Sequence, residues 1–159
     1  MDETPPEDET PKERADRELI ELLNELRIVL PGVTVMLAFL LAVPFTNGWP
    51  KVTGFERDVF VVAFLASAVS VALLTAPSSY HRLRFREGDK EHMVKLGNRL
   101  AIAGIATSAV ALDAVVLLVM SNVVSQTAGI IAAASLAVVV ALLWYGLPLR
   151  AAVKDPRAR

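Results

Sequence analysis

The twenty-one residues LAIAGIATSAVALDAVVLLVM, Leu100 to Met120, contain one charged side chain, Asp113. A helix of that length rises about 30 Å, the thickness of a bilayer's hydrocarbon core. Three further blocks have the same character: Ile28 to Phe45, Val59 to Ala76 and Ala128 to Leu147. Each falls within the roughly 17 to 25 residues that a spanning helix needs. Four such blocks in 159 residues leave almost no polar helix surface to meet water. Backbone groups in lipid must be satisfied within their own segment, so the blocks predict helices. The predicted fold is all-α: an integral membrane four-helix bundle with an N-terminal amphipathic juxtamembrane helix.

Charge is segregated along the chain. The sixteen Lys and Arg and seventeen Asp and Glu sit almost entirely outside the apolar blocks, so the net charge of −1 says less than its distribution. The sequence divides into a disordered acidic tail (1–9), a cytoplasmic amphipathic helix (10–27), a transmembrane domain (28–147, with spans 28–45, 59–76, 100–120 and 128–147) and a cytoplasmic basic tail (148–159). Fourteen Lys and Arg lie before the first span, between the second and third, or after the fourth. Only Lys51 and Arg57 lie on the other side. That bias predicts a multi-pass protein of the cell membrane with both termini cytoplasmic.

The start, MDETPPEDET, is acidic where a cleaved signal needs a basic start and an immediate apolar run, so the chain is expected to be retained whole. Absence of Cys removes disulfides, thiolate metal sites and lipoprotein acylation. Thr10-Pro11-Lys12-Glu13 reads as a helix start, with Thr10 capping, Pro11 in the first turn and Glu13 three residues after the cap. Leu19, Leu22, Leu23 and Leu26 then recur at helical spacing, with Glu18, Glu21 and Glu25 opposite. An acidic polar face suits packing against the basic middle loop or another subunit at least as well as an anionic lipid surface. Pro31-Gly32 predicts a kink near the cytoplasmic interface.

Asn47-Gly48-Trp49-Pro50 reads as a turn that seats Trp49 at the outer interface, with Trp144 and Tyr145 as the inner belt. Ala63, Ser67 and Ser70 in the second span, and Gly97, Ala101, Gly104 and Ser108 in the third, form small-residue faces on which helices pack closely. In the middle loop Tyr80, His81, Arg82, Arg84 and Arg86 form a basic, aromatic cluster at the inner headgroups. They are candidate contacts for anionic lipid or a partner, although topology alone explains them. The same explanation removes the need for a nucleic-acid partner.

Asp113 stands in the outer half of its span. A buried acid in a membrane is by default a candidate site. On a helical wheel it falls with Ile102, Ala106, Ala109 and Leu117, nearly opposite Gly104 and Ser108, so another helix or another subunit must cover it. Ser67 and Ser135 fall at its depth. Two readings stay open: a protonated acid donating to Ser67, Ser135 or a carbonyl, or a carboxylate that takes a proton or monovalent cation from one side and then the other. The only histidines, His81 and His92, lie in the middle loop, which argues against a haem held between spans. With no phosphate-cradling loop, nucleophile elbow, paired carboxylates or HExxH motif, neither an enzyme nor a metal or other cofactor is expected. Asn24-Glu25-Leu26-Arg27-Ile28 and Asn98-Arg99-Leu100-Ala101-Ile102 share three of five residues, a faint internal similarity between two entries into the membrane.

The run ELLNELRIVLPGVTVMLAFLLAVPF, Glu21 to Phe45, with APSSYHRLRFR, Ala76 to Arg86, resembles an uncharacterised family of small, mainly actinobacterial four-span membrane proteins, a domain of unknown function. Its members often carry an automatic label of sodium:proton antiporter. The resemblance brings no functional residue with it. It implies a function at the inner face, where the matching stretches lie, more than at Asp113. The combined expectation is a non-enzymatic accessory or interaction subunit in the bilayer, as a homo-oligomer or with a membrane protein partner. The alternative is a small oligomeric cation:proton-coupled transporter using Asp113.

Overall fold

Thr10 and Glu13 open the first helix as their spacing predicts. In the computed structural model the Glu13 carboxylate accepts from the Thr10 amide (2.9 Å) and hydroxyl (2.6 Å), and the Glu13 amide donates to Thr10 Oγ1 (3.3 Å). The structure describes residues 10–84 and 90–146. The expected acidic tail, most of the middle loop's tip and the basic C-terminal tail lie outside them.

Four long helices follow: α1 (Pro11–Ala42), α2 (Gly54–Arg84), α3 (Lys90–Val123) and α4 (Gln126–Val140). A wider, π-helical turn, Ala141–Gly146, continues from α4. The juxtamembrane segment and the first span are one helix, and α1 runs on past Pro31, where a kink is expected. Proline lacks the N–H that would bond the Arg27 carbonyl, but both residues are exposed and the loss is confined to one bond. Between α1 and α2 the chain makes two short 3₁₀ turns, Val43–Phe45 and Trp49–Lys51, each with a proline near its start. The second falls on the expected Asn47-Gly48-Trp49-Pro50 turn. Ser125 caps α4 by accepting from the Ala128 amide at 3.2 Å.

Four stretches are long and apolar enough to cross a membrane: Arg17–Phe45, Gly54–Tyr80, Met93–Val123 and Gln126–Trp144. Among the described residues all regular structure is helical, as expected for a bundle of four spans. Large apolar side chains such as Ile28, Phe39, Val123 and Ile131 are exposed along these helices. That is the surface expected where the surrounding solvent is lipid.

The chain forms two compact units, one from the part up to Ala38 with Ser67–Thr107, the other from Phe39–Ala66 with the part from Ser108 onward. In the first unit Leu22, Leu26 and Val33 of α1 bury against Leu74 of α2 and Ala101 of α3. The amphipathic face of the juxtamembrane helix is therefore packed inside its own chain. Gly104 lets α2 and α3 approach: a Cβ there would stand 2.7 Å from Leu74 Cδ2. Ser70 uses the approach to donate a buried 2.8 Å hydrogen bond to the Gly104 carbonyl. Each small-residue position read from the sequence, Ala63, Ser67, Ser70, Gly97, Ala101, Gly104 and Ser108, is buried. In the second unit Ala63 and Ala111 are fully buried, and Gly129 of α4 sits so close to α3 that its Cβ would lie 2.9 Å from the Leu117 carbonyl.

Candidate functional site

Asp113 lies in the C-terminal third of α3, in a stretch of Ala, Val and Leu with no proline or glycine to interrupt the helix. The side chain is half-buried. Its Oδ1 is buried and accepts no hydrogen bond. An unsatisfied buried oxygen is held at a cost of about 1 to 3 kcal/mol, so this carboxyl is not settled by its own surroundings.

The two serines expected near it behave differently. Ser135 is exposed on α4, and its hydroxyl is committed to the Ile131 carbonyl of its own helix at 2.8 Å. Ser67 is fully buried on α2 and engaged within the molecule. No bond from either reaches Asp113 Oδ1.

A second acid, which sequence reading passed over, is fully bonded. Glu56 is buried in the first turn of α2. Its Oε2 accepts from the Thr53 amide (2.7 Å) and hydroxyl (2.9 Å), and the Glu56 amide donates to Thr53 Oγ1 (3.2 Å). Its Oε1 accepts from Asn122 Nδ2 of α3 at 3.3 Å. The first part of this arrangement is a capping box, legible as Thr-x-x-Glu. The Asn122 bond joins residues sixty-six apart and carries no sequence signal. With a bond to each oxygen, Glu56 fastens α2 to α3.

Beside this fastening, Trp49 packs edge-on against Phe60 with ring centroids 4.8 Å apart, and Phe60 stacks on Phe64. The Arg57 guanidinium lies 5.9 Å from the Trp49 ring centre. Trp49 is half-buried, and its amphipathic ring suits an interfacial anchor.

At the other end of α2, Tyr80 is half-buried and engaged within the molecule. His81, Arg82 and Arg84 continue the helix, but their side chains, and Arg86 altogether, lie outside the described residues. On the near part of α1 the exposed charges form Arg14–Glu18 and Arg17–Glu21 bridges, both 3.1 Å. Among the described residues no three His, Cys, Asp or Glu side chains gather at metal-binding distance.

Four membrane-length helices, with small residues where they approach one another and, among the described residues, one acid on α3 left unsatisfied, define a small multi-pass helical membrane protein. The chain belongs to a family of unknown function, DUF6328, whose profile matches residues 8–148. Comparisons with curated proteins and with solved structures give no match.

Proposed function

We propose that this chain is a non-enzymatic accessory or interaction subunit of the cell membrane, with both termini cytoplasmic. The observation that carries the reading is the state of the near part of α1. Its apolar side is locked into the chain's own core through Leu22 and Leu26, and it continues without a break into the first span. A rigid extension built this way holds Arg14, Arg17, Glu21 and Glu25 exposed at a fixed height above the membrane. Such a charged face suits a protein surface better than a lipid one, because its acids would repel anionic headgroups. Affinity capture of the full chain from native membranes should bring down one protein in fixed ratio, and Arg14→Glu with Arg17→Glu should release it. A chain that purifies alone before and after the reversal would end this reading.

A second reading rests on Asp113. A buried carboxyl oxygen without a donor is available to a proton or a monovalent cation, which supports a small oligomeric cation:proton-coupled transporter. Proteoliposomes carrying the protein should then show proton flux driven by a sodium or potassium gradient, and Asp113→Asn should remove it. Flux no greater than that of empty liposomes leaves Asp113 a structural acid.

A further inference from the structure

Gly32 is a glycine inside a helix with no reason in its own chain to be one. Gly97, Gly104 and Gly129 each face atoms of a neighbouring helix, whereas a Cβ on Gly32 would meet nothing within 4 Å. Glycine inside a helix is unfavourable relative to alanine, and a glycine on a membrane helix surface commonly marks where another backbone comes close.

The residues in line with Gly32 point the same way. Glu21, Glu25, Ile28, Gly32 and Val35 recur at spacings of four and three, and all are exposed. On α3, Lys95, Arg99 and Ile102 are exposed at the same spacings, followed by half-buried Ala106. The two stripes match residue for residue in kind, acid against base, Ile28 against Ile102 and small Gly32 against small Ala106; Glu21 is bridged to Arg17 and Lys95 is engaged in its own chain, so Glu25 and Arg99 carry the charge match.

The stripes are also level. Gly97 lies under the Leu22 side chain, 3.6 Å from where its Cβ would stand, and Leu26 shares a core with Ala101. Helices α1 and α3 are therefore level where Leu22 meets Gly97, residues seventy-five apart. The matching stripe positions are seventy-four apart, so they differ in height by about one residue's rise, roughly 1.5 Å. Within one chain the stripes cannot meet through the contact just described. On α3 the basic stripe is on the side opposite Gly97, Ala101 and Gly104, the face that receives α1 and α2.

We propose that the chain associates with a second copy of itself, the Glu21–Glu25–Ile28–Gly32 face of α1 in one copy packing on the Lys95–Arg99–Ile102–Ala106 face of α3 in the next. Copies inserted the same way bring acid and base to one height, and the Glu25–Arg99 pair sets the register. Gly32 and Ala106 let the backbones close, and the alternating four-three spacing fits a left-handed crossing of about 20°. Two unlike patches meet, so the contact repeats from copy to copy and does not make a two-fold dimer. By helical spacing Asp113 belongs to this same side of α3. The second copy would cover Glu21 and Glu25, part of the face the accessory reading offers to a different protein, and would leave Arg14 and Arg17 to that protein.

The chain has no cysteine, which makes the test clean. Full-length Ile28→Cys with one tag and Ile102→Cys with another are co-expressed, and their membranes are oxidised. A mixed-tag disulfide product is expected, with none above background for Val62→Cys with Ile131→Cys, two exposed positions on α2 and α4. Adding Gly32→Ile should abolish the product. Adding Glu25→Lys to every copy should weaken it, and Arg99→Glu in the same chains should restore it, which keeps the result decidable if Gly32→Ile fails to insert. Absence of mixed-tag product, equal product at the control pair, or indifference to both Gly32→Ile and the charge swap would overturn the proposal. The product should survive Arg14→Glu with Arg17→Glu, so loss of a captured partner and loss of self-association are read separately.

Discussion

At the residue scale the glycines divide by what stands opposite them. Gly129 faces Ser121 Oγ, the Leu117 carbonyl and the Ser121 amide, and backbone atoms cannot swing aside. Gly129→Ala should cost about 1 to 3 kcal/mol, the usual penalty of overpacking, seen as a lower unfolding temperature in detergent. Gly97→Ala should be neutral or stabilise by about 0.5 to 1 kcal/mol, because its Cβ would rest at 3.6 Å from Leu22 and Pro77 while the helix loses a flexible residue. Asp113 is the converse case, a side chain present where the packing does not satisfy it. Asp113→Leu removes the orphaned Oδ1 and should raise the unfolding temperature, a gain of about 1 to 3 kcal/mol. If Asp113 serves transport, that gain will come with loss of flux, as expected where a site is held against stability.

At the element scale, helix starts and ties between helices carry the order. Glu13 is exposed, and its hydrogen bond from the Thr10 hydroxyl, followed by that from the Thr10 amide, holds its carboxyl below the usual carboxylate range. A depressed acid stabilises the folded form above the unfolded-state value and loses that effect as pH falls through the folded one. Hydrogen exchange at the Glu13 amide should therefore quicken, relative to mid-helix amides, as pH is lowered through the carboxylate range, once corrected for intrinsic rates. In Thr10→Ala the difference should vanish. The Ser70 to Gly104 bond is a different kind of tie, between helices and buried. Such bonds in membranes average about 0.6 kcal/mol, so its value lies in fixing the approach more than in strength. The capping box at Thr10 and the small faces of α2 and α3 were legible in the sequence, since they depend on spacing within one helix. The Glu56 to Asn122 bond was not, because no local pattern pairs residues so far apart.

At the scale of the whole molecule, orientation rests on where Lys and Arg fall. Single cysteines at Asn47 and at Ser125 should react with an impermeant maleimide added to intact cells, and one at Lys154 only after lysis. The reverse pattern would invert the proposed topology. The apolar blocks decided that the chain is helical and of membrane length four times over, because hydropathy and span length act through the solvent and need no knowledge of neighbours. The helical spacing of Leu19 to Leu26 also runs into the first span, and α1 continues through Pro31, with Leu22, Leu26 and Val33 buried on either side of it. Packing decided that Asp113 keeps an oxygen without a donor and that Ser135 spends its hydroxyl on its own helix. Depth along a span can be counted from the sequence, but the direction in which a side chain faces its neighbours is set by how the helices come together.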